Sequence, residues 1–232
     1  MSSSTTNEES GGYKPLHPEL FQYDPKFIDP TLVEATASLK EGQKLDPTKV
    51  TREPVEQIYH FQLFTEEFCR LLIEEAEHCG KWVTEEETFE QVNTQGLVEV
   101  DDPETTQHLH QIDPKLEAVY YEVVEKHIRP LVQSLWKTFT IQKMDRPYVL
   151  KYEPEVIKEM GLHHDMETVA MVVTLSQPDD YQGGGTYFPK WDYSTGKPRP
   201  GTAIVYPGGV SHEHMGLPIS AGKRFLFLGS FY

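Results

Sequence analysis

The sequence contains few cysteines and no long apolar run, and both shortages exclude classes of protein. Cys69 and Cys79 are the only cysteines among 232 residues. They lie ten positions apart in a predicted helix, which separates their Cα atoms by about 15 Å, whereas a disulfide needs less than about 7 Å. The sequence also has no stretch of about 18 apolar residues, which is the length that a membrane-spanning helix needs. Because residues 1–12 also lack the basic and apolar regions of a secretory signal, we expect a reduced, cytoplasmic protein.

Basic residues are also scarce: 21 Lys and Arg stand against 37 Asp and Glu, so the net charge is −16. Binding to a nucleic-acid backbone depends on clustered cations, and anionic membrane surfaces repel a chain of this charge. We therefore expect neither nucleic acid nor a membrane as a partner. Small-molecule and peptide substrates, including cationic ones, are compatible with this charge.

Composition and local patterns predict a folded chain with three regions. Hydrophobic residues make up 38% and charged residues 25%, which are ordinary values for a globular protein once glycine is added to the hydrophobic share. Residues 1–12 are small, polar and acidic and predict a disordered tail. Residues 13–55 are rich in proline and predict an N-terminal arm, whereas residues 56–232 carry the regular patterns of a domain. Whether the arm wraps this domain or a partner subunit stays open, and a homodimer is one candidate assembly.

Helical patterns precede strand patterns along the domain. Residues 66–79 combine a Thr65 N-cap, an apolar stripe at helical spacing and a terminal Gly80. A second helical stretch covers residues 114–137, in which Pro130 predicts a break or a bend. The C-terminal part contains β-branched and aromatic runs separated by Gly and Pro clusters, which predict strands. This order indicates an α+β fold in which helices cover one side of a sandwich or barrel.

Two histidine-containing segments in the β block could supply a metal site. His163 and Asp165 are two residues apart, so on a strand their side chains point to the same face and His164 points to the other. His212 and His214 are likewise two apart, and alternation does not separate them. Two imidazoles and one carboxylate with open positions form the facial triad that suits non-haem Fe(II). A His-x-Asp pair is also common as a hydrogen-bonded surface pair, so the spacing leaves both interpretations open.

Two further residues favour the metal interpretation. Arg224 lies ten residues after His214 in an otherwise apolar strand, where a guanidinium is costly to bury unless it is paired. A planar carboxylate ligand would pair it through two hydrogen bonds. Tyr152, eleven residues before His163 on another predicted strand, could share that carboxylate.

The order of these residues resembles the iron(II)/2-oxoglutarate-dependent dioxygenases, in particular the prolyl/lysyl hydroxylase branch and the catalytic domain of procollagen-lysine hydroxylases. The segments that carry the resemblance are FTEEFCRLLIEEAEHCGKW, LKYEP, HHD, YQGGGTYF, YPGG, SHEHMGLP and GKRFLFLGSF. Together they cover about residues 56–232. The resemblance implies a double-stranded β-helix (jelly-roll) core with flanking N-terminal helices.

The resemblance also implies roles for single residues. His163, Asp165 and His214 would hold iron as the catalytic centre. The family spacing of about ten residues to the arginine selects His214 as the ligand. Arg224, helped by Tyr152, would bind the distal carboxylate of 2-oxoglutarate.

The reaction implied by the family is the hydroxylation of an unactivated C–H bond, during which 2-oxoglutarate and O₂ become succinate and CO₂. Fe(II) would be the metal and ascorbate is a candidate reductant. The substrate would be an amino acid, an amino-acid-derived small molecule, or a lysyl or prolyl residue. Residues 84–104 contain eight acidic residues and no basic one and lie where family members cover the active site. They could attract a cationic substrate, and a solvated surface loop is the alternative interpretation.

Two other functions compete with the hydroxylase. A non-catalytic binding module on a decayed oxygenase fold would keep the barrel, although the intact ligand set speaks against decay. A zinc site made of the same three ligands would support hydrolytic chemistry instead, but it would leave Arg224 and Tyr152 without a role.

Overall fold

The structure is a computed structural model that describes residues 13–37, 39, 43–83, 90–93, 96–99 and 105–232. For residues 90–93 and 96–99 it describes the backbone. The predicted tail and most of the acidic segment lie outside the described residues.

Antiparallel strands build most of the described fold. In chain order they are β1 (Thr51–Val55), β2 (Ile58–Gln62), β3 (Glu90–Asn93), β4 (Gly96–Glu99), β5 (Thr106–His108), β6 (Tyr148–Tyr152), β7 (Met160–His163), β8 (Val169–Thr174), β9 (Tyr181–Gly183), β10 (Thr186–Phe188), β11 (Tyr193–Ser194), β12 (Thr202–Pro207), β13 (His214–Gly216), β14 (Ile219–Gly222) and β15 (Arg224–Leu228). Within the described residues they form a larger sheet in the order β1-β2-β12-β8-β15-β6-β5, a smaller sheet in the order β11-β10-β13-β7-β3-β4, and the pair β14-β9.

The helices flank the larger sheet on one side. They are α1 (Pro30–Ala37), α2 (Glu66–Cys79), α3 (Leu109–Ile112), α4 (Pro114–Val123) and α5 (Arg129–Leu135), with a π turn at Val124–Ile128 and 3-10 turns at Pro18–Phe21, Pro25–Phe27, Pro47–Lys49, Pro189–Trp191 and Val210–His212. Among the described residues no helix is long and apolar enough to cross a bilayer. The combination of helices and antiparallel sheets confirms the predicted α+β class.

The central strands of the larger sheet are buried on both faces, and alternation along each strand decides which core its side chains enter. On β12, Ala203 and Val205 pack into the main hydrophobic core with the helices. Ile204 and Tyr206 point the other way, into a second cluster that includes Phe188 of the smaller sheet. The space between the two sheets is therefore lined by every second residue of the central strands.

Helix α2 confirms the prediction made from its caps and its apolar stripe. The Thr65 hydroxyl accepts a hydrogen bond from Phe68 N at 3.3 Å, and Gly80 ends the helix in the left-handed conformation at φ 62°. Cys69 on this helix is buried and Cys79 is partly buried, and neither forms a disulfide.

Of the break or bend predicted at Pro130, the break does not occur, because the chain stays helical on both sides of the proline. Arg129 N donates to Val124 O, five residues back, in the π turn that precedes the proline. A wider turn shifts the hydrogen-bond ladder where the proline lacks an N–H, and its ring would otherwise clash with the preceding turn. Helix α5 then continues to Leu135.

Residues of the predicted N-terminal arm pack against the helices. Phe27 and Leu32 are buried in the main core, and β1 is an edge strand of the larger sheet. The fully buried Glu75 carboxylate on α2 accepts hydrogen bonds from the backbone N–H groups of Leu16 and His17 at 3.2 and 2.7 Å. A buried carboxylate satisfied by backbone donors anchors this segment on the domain. The predicted boundary between arm and domain stays a prediction.

Candidate metal centre

Three predicted ligand residues converge between the two sheets. His163 is the last residue of β7 and His214 is the first of β13, and the two are cross-strand partners. Nε2 of His163 lies 3.8 Å from one carboxylate oxygen of Asp165, and Nε2 of His214 lies 3.8 Å from the other. One ligand atom from each residue lies within 4.8 Å of the others, which is the spacing of a group that could hold a metal ion.

Backbone carbonyls orient both imidazoles. His163 Nδ1 lies 2.8 Å from Gly161 O, and His214 Nδ1 lies 3.0 Å from His212 O. Because a carbonyl only accepts, each Nδ1 carries the proton and each Nε2 presents its lone pair toward Asp165. Burial lowers the pKa of His214 to about 4, so this imidazole is neutral at pH 7. Two imidazoles held by their second nitrogen, with one carboxylate, fit a divalent transition metal.

Two steps of the strand-alternation argument are wrong although the residues converge. Asp165 follows the end of β7 and lies in a loop, where its carbonyl accepts a hydrogen bond from Gly209 N at 2.7 Å. His212 belongs to a 3-10 turn, so it does not share a strand with His214, and its ring lies 5.0 Å from that of Trp191. His164, expected to point away from the site, is exposed.

Arg224 and Tyr152 are direct cross-strand partners on β15 and β6. The guanidinium carbon lies 5.3 Å from the centre of the Tyr152 ring, and Nη1 reaches Gly185 O at 3.5 Å. Arg224 is 3% exposed, its Nε has no hydrogen-bond partner, and among the described residues no carboxylate lies within 4.0 Å of it. A buried cation of this kind needs an anion from elsewhere, and a dicarboxylate cosubstrate would supply one.

Tyr181 also borders the guanidinium, and the sequence patterns did not single it out. Burial raises the pKa of the Tyr181 hydroxyl, while the charge of Arg224 and a hydrogen bond with it lower that pKa. Gly184, at φ +75°, leaves the space between them open, because a Cβ there would lie 2.8 Å from the Tyr181 ring and 3.3 Å from Arg224 Cδ. Strand β9, which carries Tyr181, has only three residues, and its alternation is too short to be read.

A second residue that the patterns did not single out is Tyr206, whose hydroxyl lies 3.1 Å from His214 Nε2. Burial, then the neighbouring charge of Asp165 and a hydrogen bond with that carboxylate, hold the pKa of this hydroxyl well above its usual range, so it stays protonated and donates to Asp165. Alternation along β12 puts Thr202, Ile204 and Tyr206 on one face. Alternation along the strand predicts that Tyr206 is buried between the sheets, but it does not predict that Tyr206 lies beside His214.

A pair of carboxyl groups adjoins the triad. Burial first, and then the charge of Asp165 and a hydrogen bond with Asp145, raise the pKa of Glu167 to about 7. The side chains of Asp145 and Glu167 therefore share a partly buried site next to the candidate ligands. Such a pair would hold a cationic group more readily than an anion.

Part of the acidic segment reaches the same edge of the structure. Strands β3 and β4 form a hairpin, and Val92 of β3 is the cross-strand partner of Leu162, which precedes His163. The backbone of this hairpin therefore extends the smaller sheet beside the candidate metal centre. The prediction that the segment attracts a cationic substrate concerns side chains outside the described residues.

An OGFOD2-like domain matches residues 10–140, which is more than half of the chain. The chain belongs to the OGFOD2-like family. The match ends before the candidate metal centre. Procollagen-lysine,2-oxoglutarate 5-dioxygenase 1 of Gallus gallus is 32% identical over 180 residues, 77% of this chain and 24% of the relative. The multifunctional procollagen lysine hydroxylase and glycosyltransferase LH3 of Rattus norvegicus is 29% identical over 215 residues, 92% of this chain and 28% of the relative.

This OGFOD2-like chain spans about a quarter of the length of the curated relatives it matches. Those relatives confirm its resemblance to the lysyl hydroxylase branch of the 2-oxoglutarate dioxygenases. Among solved structures, the non-heme alpha ketoglutarate dependent carbocyclase SnoK from nogalamycin biosynthesis matches with a TM-score of 0.53 at 11% identity, over 82% of this chain and 87% of that one. At this identity the likeness concerns the fold.

Proposed function

We propose that the protein is an Fe(II)/2-oxoglutarate-dependent dioxygenase that hydroxylates an unactivated C–H bond on a double-stranded β-helix core. The observation that carries the proposal is that the chain with the convergent triad also buries Arg224, which has no carboxylate within 4.0 Å among the described residues. The zinc and non-catalytic alternatives account for the triad but not for Arg224. The names of the curated relatives support the same chemistry.

In this proposal His163, Asp165 and His214 hold Fe(II), and Arg224 binds the distal carboxylate of 2-oxoglutarate with Tyr152 alongside. Fe(II), together with 2-oxoglutarate and O₂, supplies the oxidation, in which 2-oxoglutarate becomes succinate and CO₂. Ascorbate is the proposed reductant. The free state of both cysteines supports work in a reducing compartment, for which we propose the cytoplasm.

The chain's own groups position the reactants and exclude water. The guanidinium of Arg224 fixes one end of the cosubstrate, because its fork matches a carboxylate in a single plane. The backbone carbonyls of Gly161 and His212 hold the imidazole planes. The buried rings of Tyr152 and Tyr206 occupy volume that water would otherwise fill.

The proposed substrate carries a primary amine, as a free amino acid, an amine-bearing small molecule or a lysyl residue. Asp145 and Glu167 support this class because they place carboxyl groups beside the triad without a cationic partner within 4.0 Å among the described residues. The relatives' names refer to procollagen lysine, which is consistent with an amine substrate.

Anaerobic titration with Fe(II) and then 2-oxoglutarate tests the cofactor chemistry. We expect the visible charge-transfer band of iron-chelated 2-oxoglutarate in the wild type and in His212→Ala, and its loss in His214→Ala. Fe(II) binding without the band would favour the zinc or non-catalytic alternative.

Succinate release tests the substrate class. Lysine-containing peptides and free lysine should stimulate succinate release more than the matched norleucine compounds, which lack the amine. Glu167→Gln should reduce that preference while leaving the charge-transfer band in place. Equal stimulation by both members of each pair would overturn the proposed amine recognition.

A further inference from the structure

A cavity of about 550 Å³ opens beside β1 and β2 at the edge of the larger sheet. Its polar lining comes mainly from Lys49, Arg52, His60, Gln62, Arg199 and Thr202. None of the residues that line it belongs to the candidate metal centre. The volume lies within the range of small-molecule binding pockets.

The cavity is cationic although the whole chain is strongly acidic. Lys49 comes from a 3-10 turn, Arg52 from β1 and Arg199 from the loop before β12. Within the part of the chain that the structure describes, none of the three has a carboxylate within 4.0 Å. By contrast, Lys26, Arg70, Lys126, Arg129, Lys151 and Lys223 each have one.

Asp29 is the one acidic residue in the lining, and its carboxylate is already engaged. It accepts hydrogen bonds from Thr31 N at 3.0 Å and from Leu32 N at 3.3 Å, at the start of α1. A carboxylate that caps a helix is stabilised where it is. Its single negative charge lies more than 4.0 Å from each of the three cations, so the lining keeps a net positive charge.

Buried and half-buried polar groups hold the Arg199 side of the cavity in place. Arg199 Nε donates to Gln62 Oε1 at 2.8 Å, and the Thr202 hydroxyl donates to the same oxygen at 3.2 Å. Gln62 Nε2 in turn donates to Phe64 O at 2.8 Å. One N–H of Arg199 is used in this network, so the rest of its fork is available to a ligand.

A buried imidazole supports the other guanidinium. His60 is 2% exposed and is the cross-strand partner of Arg52, whose Nη2 lies 3.5 Å from His60 Nδ1. The other ring nitrogen of His60 lies 3.1 Å from the Tyr193 hydroxyl. The side chain of Arg52 therefore packs on an imidazole that is itself held by a hydrogen bond.

We propose that this cavity is a binding site for a small polyanion that carries two or more carboxylate or phosphate groups. Two guanidinium forks and one ammonium suit such a ligand, because planar forks bind these oxyanions in pairs of hydrogen bonds and the ammonium adds a point charge. The site is independent of the proposed oxygenase chemistry, since the two share no residue.

Calorimetric titration of the metal-free protein at low ionic strength tests the site, with pyrophosphate and citrate as probes. We expect the wild type to bind one equivalent of at least one probe, and Arg52→Gln/Arg199→Gln to bind it at least about 30-fold more weakly. Lys115→Gln/Lys137→Gln is the matched control, because it removes two exposed charges that do not line the cavity. It should change the affinity by less than about threefold.

The single variant Lys49→Gln gives a second measurement, with an expected loss of about fivefold for one exposed charge. Tighter binding of pyrophosphate would identify a phosphate ligand, and tighter binding of citrate a carboxylate ligand. Arg224→Met must retain the binding. The proposal is overturned if neither probe binds, if the lysine control weakens binding as much as the arginine variant, or if Arg224→Met abolishes it, which would locate the anion at the metal centre.

Discussion

Arg224→Met removes the guanidinium that we assign to the distal carboxylate of 2-oxoglutarate and keeps a long, unbranched side chain in its place. Removing one partner of a desolvated, hydrogen-bonded charge pair costs about 2–5 kcal/mol of binding free energy. At about 1.4 kcal/mol per factor of ten, the Kd for 2-oxoglutarate should rise by about 30-fold to several thousand-fold.

The same substitution should leave the ligand-free protein as stable as before, or more stable. Arg224 is 3% exposed, and among the described residues no carboxylate lies within 4.0 Å of it. Burial of such a cation costs several kcal/mol, of which contact with the Tyr152 ring recovers about 2 kcal/mol. A residue that served structure alone would show the opposite sign, because its removal would lower the free energy of unfolding.

Anaerobic calorimetry of the Fe(II)-loaded protein measures the Kd, and urea unfolding of the metal-free protein measures stability. Lys223→Met is the matched control, since this exposed neighbour pairs with Glu153 at 2.6 Å. Its Kd for 2-oxoglutarate should stay within about threefold of the wild type. A Kd unchanged in Arg224→Met, or a loss of more than about 2 kcal/mol in its free energy of unfolding, would refute the assignment.

Four single substitutions test the ligand choice, a buried imidazole and the glycine turn. His214→Ala should abolish stoichiometric Fe(II) binding and His212→Ala should retain it; iron content after anaerobic loading decides, and retained iron in His214→Ala would contradict the ligand choice. His127 is 4% exposed and burial lowers its pKa to about 4, whereas the unfolded chain takes up the proton near pH 6.5. The free energy of unfolding present above about pH 6.5 should therefore fall by at most about 3 kcal/mol as the pH drops toward 4. Urea unfolding of His127→Gln should show a shallower pH dependence than the wild type. An equal pH dependence in the two proteins would refute His127 as the cause. Gly184→Ala forces a side chain into φ +75° and against Arg224, so we expect a loss of about 1–3 kcal/mol in unfolding free energy together with weaker 2-oxoglutarate binding, and no change in either would contradict the proposed packing.

Features with local causes could be predicted from the sequence. Thr65 caps α2 through a hydrogen bond to a residue three positions away, and Gly80 ends it by its own backbone conformation. The long apolar strands β8, β12 and β15 are similarly visible, because both faces of the larger sheet are buried and their residues are almost all apolar.

Features that depend on hydrogen-bond context were predicted incorrectly. Pro130 carries the same local signal whether the helix stops there or continues after a π turn. The packing of the flanking helices decides which of the two occurs. Asp165 and His212 were placed on strands because a spacing of two is also the strand period. In the structure one lies in a loop and the other in a 3-10 turn.

The sequence by itself determined the α+β class, the principal strands and the candidate set His163, Asp165, His214, Arg224 and Tyr152, since residue types and their order along the chain carry that information. Only the tertiary structure decided how these groups meet. His163 pairs with His214 across two strands, Tyr206 lies beside His214, and Tyr181 lies beside Arg224. These contacts and the cationic cavity at Arg52 all join segments far apart in sequence. Such contacts depend on strand order and register, which are set by the packing of whole sheets and leave no short-range pattern to read.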